Sequence, residues 1–285
     1  MSAQPYAAPS RRSALAGELG KLPAFLRRDL LVMLSYRTSF VAGWLGLLVQ
    51  ALLFYFVGRL VDPSTLPSYG GHHAGYMEFV IIGMALGGFL QLALARVSAG
   101  IRNEQLMGTL ESLLATPTSP NTVQLGTVFF DLVYIPIRTA FFILLVAVVF
   151  GLDLHASGVL PALLVLFAFL PFVWGIGVAN AGLVLTFKRG TGVASFGALA
   201  LTMLSGAFFP LALLPAWAAA VARLNPLAIS IEAMREALLG GAGIHVALVA
   251  VLELLPFVVV SLAAGFWIFR LALRRERRLG TIGLY

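Results

Sequence analysis

VLPALLVLFAFLPFVWGIGVANAGLVLTF, Val159 to Phe187, runs for 29 residues without one ionisable side chain. At 1.5 Å per residue a helix of that length reaches about 44 Å, more than the roughly 30 Å hydrocarbon core of a bilayer. The segment predicts a membrane-spanning helix with length to spare for tilt. The rest of the chain has the same character. Of its 285 residues 60% are hydrophobic and 11% charged, and mean hydropathy is +0.96. Soluble domains hold about 45–50% apolar and 25% charged residues. The composition predicts an all-α integral membrane protein. With no cysteine there is no disulfide, thiolate metal site or cysteine nucleophile.

Five further apolar stretches lie around the first, giving six predicted spans at 38–61, 76–99, 123–150, 159–187, 192–209 and 246–269. Loop charges test that count. With both ends cytoplasmic, fifteen of the 19 basic residues fall inside: Arg11, Arg12, Lys21, Arg27, Arg28, Arg37, Arg96, Arg102, Lys188, Arg189, Arg270, Arg274, Arg275, Arg277 and Arg278. Arg59, Arg223 and Arg235 fall outside, and Arg138 lies within a span. Such an asymmetry is the positive-inside signature. It accounts for the net charge of +7 without nucleic acid, because a basic cytoplasmic face also meets anionic lipid. Membrane lipids are therefore expected partners.

Residues 1–12 read as a disordered arm and not as a secretory signal, for no uninterrupted apolar region follows the first arginines. In 13–37, Leu15, Leu19, Leu22, Leu26, Leu30 and Met33 fall in one helical stripe, with Glu18, Lys21, Arg27, Arg28 and Asp29 on the remainder. This predicts an amphipathic helix lying in the membrane interface, kinked at Pro23; a soluble helix packed on a partner has the same pattern. The six spans with their loops are expected to form one transmembrane domain over 38–270, and 271–285 a basic cytoplasmic tail. Residues 210–243 hold apolar pieces too short to cross, interrupted by Arg223, Asn225, Pro226, Glu232, Arg235 and Glu236. Two short re-entrant helices on the outer side fit best, since non-helical backbone at membrane depth must be buried in protein or line water.

Several chemistries are missing. No G-x-x-x-x-G-K-[ST] occurs, so the chain is not expected to hydrolyse ATP alone. His72, His73, His155 and His245 are scattered over predicted outside loops, and no metal site is expected. There is no G-x-S-x-G elbow and no H-E-x-x-H, so no catalytic residue is assigned. Ionisable groups near the spans are Glu78, Asp131, Arg138 and Glu253. Charges at membrane depth are functional candidates, yet Asp131 and Arg138 stand seven residues apart, about 10 Å along a helix. Glu78 reads as an interfacial residue.

The second cytoplasmic loop reads IRNEQLMGTLESLLATPTSP, residues 101–120. Asn103 suits an N-cap, Glu104 a first turn and Pro117 a stop, while Leu106, Leu110, Leu113 and Leu114 share one face. The pattern predicts a short amphipathic helix over about 103–115. Its wording resembles the signature after the second span of type-2 ATP-binding-cassette (ABC) permeases: an acidic residue, then G-T-L-E, a leucine pair and a T-P stop. Glu104, Gly108, Thr109, Leu110, Glu111, Leu113, Leu114, Thr116 and Pro117 match. A second stretch, SGAFFPLALLPAWAAAVARLNPLAISIEAMREALLGG over 205–241, is similar to that family's G-x-x-F-P-x-x-x-L-P-x-W, then N-P, then an arginine. Gly206, Phe209, Pro210, Leu214, Pro215, Trp217, Asn225, Pro226 and Arg235 fill it.

The resemblance implies the permease subunit of an exporter. A second permease chain, identical or related, and a separate nucleotide-binding subunit carrying ATP and Mg are the implied partners; this chain itself binds no cofactor. Asn103, Glu104, Gly108, Thr109, Glu111 and Pro117 would form the coupling helix against that ATPase. Phe208, Phe209, Pro210, Pro215 and Trp217 would belong to the outer closure of the pathway. The implied substrates are amphipathic: polysaccharide, glycolipid, lipid or drug. The implied location is the cytoplasmic (inner) membrane. The rival reading is a secondary transporter driven by an ion gradient through Asp131, Arg138 and Glu253.

Overall fold

The computed structural model describes Gly20 and residues 22–106, 120–187 and 191–279. Nine α-helices fall in these segments: α1 (Leu22–Ser35), α2 (Arg37–Gly58), α3 (Tyr76–Leu106), α4 (Pro120–Phe150), α5 (Val159–Phe187), α6 (Thr191–Met203), α7 (Ala216–Arg223), α8 (Pro226–Leu238) and α9 (Ile244–Leu279). A two-stranded hairpin, β1 (Ser68–Tyr69) and β2 (His72–His73), joins α2 to α3. Gly70 and Gly71 form its two-residue turn with φ of +58° and +82°, the paired left-handed conformations that a tight hairpin needs and glycine adopts freely.

Among the described residues, five helices are long and apolar enough to cross a membrane: Phe40–Gly58, Tyr76–Ala95, Val133–Phe150, Ala156–Thr186 and Ile244–Arg275. The chain is a multi-pass membrane protein. The fifth expected span, 192–209, is not helical over its full length. Its helix, α6, has 13 residues and is about 20 Å long, short of the bilayer core. The helix ends where the Ser205 hydroxyl donates to the Thr202 carbonyl at 2.7 Å and Gly206 turns to φ +72°. Leu204 to Pro210 continues as irregular backbone.

Helix α3 is the centre of the bundle and packs against α4, α5, α6 and α8. Its spanning part is 78% buried, against 6% for that of α2, which stands at the edge. The first turn of α3 is capped from within. Glu78 Oε2 accepts the Gly75 N–H at 2.9 Å, half of a capping box, so Glu78 is a structural residue as well as an interfacial one. Helices α5 and α9 pack along each other, with Gly175 against the Ser261 backbone and Gly182 against Phe269. Small residues let spanning helices approach closely.

Two further expectations are corrected. Pro23 lies in the first turn of α1, where its missing N–H costs nothing, and marks no kink inside the helix. Asn103 is not an N-cap, because α3 continues unbroken through it to Leu106; Gly100 is the one weak helix former on the approach and does not end the helix. Helix α9 likewise continues through Arg270, Arg274, Arg275 and Arg278 to Leu279, so the basic tail begins as the last turns of a spanning helix. In α1, which lies along α4, Leu26 and Met33 of the apolar stripe are half-buried. Gly108, Thr109, Glu111 and Pro117, the arm 1–12 and the pair Lys188–Arg189 lie outside the described residues.

Candidate functional site: a buried arginine behind a broken helix

Helix α8 is the most enclosed short element. Leu227, Ile231, Met234 and Leu238 recur at helical spacing and all are buried. Asn225 starts it. Its side-chain oxygen accepts the Leu227 N–H at 3.0 Å, the usual N-cap bond, and Pro226 at the first position has no N–H to leave unpaired. The same amide donates from Nδ2 to the Leu201 carbonyl at 2.7 Å. Leu201 sits in the last turn of α6, where carbonyls lack intrahelical partners. One side chain thus caps two helix ends.

Arg235 lies on the apolar face of α8 and is 2% exposed. Burying a cation is costly unless it is paired and hydrogen-bonded. Here Nε donates to the Phe79 carbonyl at 3.1 Å, and Nη2 donates to the carbonyls of Gly206 at 3.0 Å and Ala207 at 3.3 Å. The guanidinium also lies 3.5 Å from the centre of the Phe79 ring, a cation–π arrangement. Glu232, one turn earlier, is 3.6 Å from Nη1. The Tyr69 hydroxyl of the hairpin donates to both Glu232 oxygens, at 3.0 and 3.2 Å. Burial pushes the Tyr69 phenol well above its ordinary pKa, so it remains a donor. Glu236 is also raised, by desolvation and then by the charge of Glu232.

The arrangement ties the non-helical continuation of α6 to the start of α3. Depth follows from two glycines. A Cβ on Gly87 would meet Thr202 Cγ2 at 2.7 Å, and one on Gly83 would overlap the Ala207 backbone. Gly87 is eleven residues into α3, about 16 Å from its start, so α6 rises only to mid-depth and the loop covers the remainder. Phe208 completes the packing: its ring stacks on Phe54 at 5.5 Å, and its carbonyl accepts the Tyr76 hydroxyl at 3.0 Å. The far end of α8 is held as well. The His155 N–H donates to the Leu238 carbonyl at 2.8 Å, and the hairpin turn at Gly70 packs against Gly240.

A family model described as ABC-2 type transporter matches residues 21–239. The chain belongs to the ABC-2 type transporter family. No curated protein matches it. Of the two stretches that resembled type-2 ABC permeases, 101–120 falls inside the matched region and 205–241 does so up to residue 239.

Within this ABC-2 chain the expected closure residues separate into two groups. Phe208 and Phe209 are half-buried and Pro210 is buried beside the Arg235 network, whereas Pro215 is exposed at the start of α7 and Trp217 is 70% exposed. The three candidate charges lie on two helices, Asp131 and Arg138 on α4 and Glu253 on α9. Asp131 is buried on α4, and the Arg138 guanidinium lies 5.6 Å from the Trp44 ring. Glu253 is exposed on α9, which packs along α5 and α8. Among the described residues no three His, Asp or Glu side chains are placed to share a metal ion.

Sequence reasoning missed the role of Arg235, placing it among the loop cations. A signal was present: Arg235 is four residues from Ile231 and eight from Leu227, so helical spacing sets it on the apolar face. Tyr69 and Glu232 gave no comparable signal, for they meet across 163 residues.

Proposed function

We propose that this chain is the membrane-spanning subunit of an ATP-driven exporter, forming the pathway for an amphipathic substrate such as a polysaccharide, glycolipid, lipid or drug. A separate nucleotide-binding subunit would bind ATP and Mg, and a second permease chain, the same or related, would complete the pathway. The hairpin end of the bundle faces outward and both termini lie in the cytoplasm of a cell whose inner membrane holds the complex. The loading of arginine and lysine on the opposite end supports this orientation.

One observation carries the reading: the half-length α6 and its irregular continuation, clamped by Arg235. Broken helices in membrane proteins occur where backbone is buried in protein or lines a cavity. A segment held by a few directed hydrogen bonds has two discrete states, held and released, which a pathway closure requires. Phe208, Phe209 and Pro210 on that segment form the closing surface. It is aromatic and apolar, which suits an amphipathic substrate better than an ion.

On the opposite side, Glu104 and Glu111 would touch the ATPase and Gly108 would allow its close approach, with Asn103, Thr109 and Pro117 shaping the segment. Because α3 is continuous to Leu106, a push there acts directly on the helix that carries Phe79 and Gly83. The test is export from vesicles bearing the full complex. Glu104→Ala and Glu111→Ala should each lower export strongly while membrane insertion is unchanged; undiminished export from both would remove the coupling role. The ion-gradient alternative would run through Asp131 and Arg138 of α4 and Glu253 of α9, and would show as transport by this chain alone in vesicles under an ion gradient.

A further inference from the structure

Between α4, α5 and α8, at the hairpin end, lies a groove of about 760 Å³. Along α4 it extends from Ala140 to the helix end, about 15 Å at helical rise, which is the share of one leaflet in a core roughly 30 Å thick. The first turns of α5 form the opposite wall, and Met234 and Leu238 of α8 form the floor. Every lining side chain is apolar. The rim is open: Leu144 is 59% exposed and Val148 is 74% exposed.

We propose that this groove binds an acyl chain of a phospholipid from the leaflet on the hairpin side. At that depth no water is at hand to fill it, and an empty groove forfeits the dispersion contacts of its lining. The volume lies in the range of small-ligand sites, about 300–1,000 Å³, whereas a packing helix requires a shallow surface of ridges and grooves. The lining offers no polar group to orient a headgroup, so the site selects the chain and leaves the headgroup at the surface. Lipid tails are as apolar as leucine, so retention rests on fit and not on exclusion of water. A bound chain would lie against Met234 and Leu238, neighbours of Arg235 on the same helix. This inference requires only that the protein spans a membrane and stands apart from the exporter reading.

The experiment is native mass spectrometry of the full chain in mild detergent, titrated with dioleoyl phosphatidylcholine. Leu144→Trp and Val148→Trp fill the groove from its exposed rim, where a larger side chain leaves the core undisturbed. Leu252→Trp, on a 68% exposed position of α9 away from the groove, is the control. The wild-type chain and Leu252→Trp should retain one lipid that the two rim variants hold at least about fivefold more weakly, a difference well resolved in a titration. Equal retention by all four chains would overturn the proposal. So would rim variants that disrupt pairing of two chains and leave lipid retention intact, since the groove would then be a contact between copies.

Discussion

At the scale of single residues, Arg235 holds more of the structure than any other polar side chain described. It supplies donors to three carbonyls on two elements, so what replaces it matters more than charge alone. Lysine keeps the charge but has no planar fork, and a buried carbonyl left unpaired costs about 1–3 kcal/mol. Arg235→Lys should therefore lower stability by roughly that amount and Arg235→Met by more, read as thermal midpoints in detergent. Equal midpoints for wild type and both variants would mean that the carbonyls find other partners. Gly83 and Gly88 give a paired prediction on one helix. A Cβ at Gly83 collides with the Ala207 backbone, while nothing lies within 4 Å of one at Gly88. Gly83→Ala should destabilise the protein; Gly88→Ala should be neutral or stabilise it by up to about 1 kcal/mol, the helix preference of alanine over glycine. The same thermal assay separates them.

Elements show where local signals suffice and where they fail. The span 159–187 is helical from its expected start through Phe187, because a charge-free run of that length leaves little choice. The Asn-Pro start of α8 is a local device of the same kind, although in the sequence alone Asn225 and Pro226 read only as interruptions and as a match to the family pattern. Asn225→Ala removes the caps of two helices at once, so its cost should exceed the about 1 kcal/mol typical of a single cap, again as a drop in thermal midpoint. A drop no larger than that would mean that the Leu201 carbonyl is satisfied another way. The fifth span was misjudged because hydropathy counts apolar residues without regard to Gly206 and Pro210, which end the helix while the chain remains buried. The coupling segment was read as starting at Asn103, yet capping preferences are weak and the preceding helix extended through it. The Tyr69–Glu232–Arg235 network was beyond reach, because its members become neighbours only when the hairpin folds over α8.

For the whole molecule, the orientation proposed from the charge asymmetry can be tested cleanly, since the chain has no native cysteine. Ser64→Cys and Ser157→Cys lie at the hairpin end and should react with an impermeant maleimide in intact cells. Ser35→Cys, at the end of α1, should react only after lysis. The reverse pattern would invert the topology and with it the proposed direction of transport. Composition and periodicity thus disclosed a multi-pass helical protein and most of its helix ends, whereas the clamp on the broken helix required the packed structure. The central claim is that this chain works as the permease of a separate ATPase. Its most direct test is purification of the tagged chain from its native cells in mild detergent, with co-eluting subunits identified and ATP hydrolysis assayed. A stoichiometric P-loop subunit, whose hydrolysis is weakened when the permease carries Glu104→Ala, is the predicted result. A chain that elutes without such a subunit, yet moves substrate in vesicles under an ion gradient alone, would contradict the account.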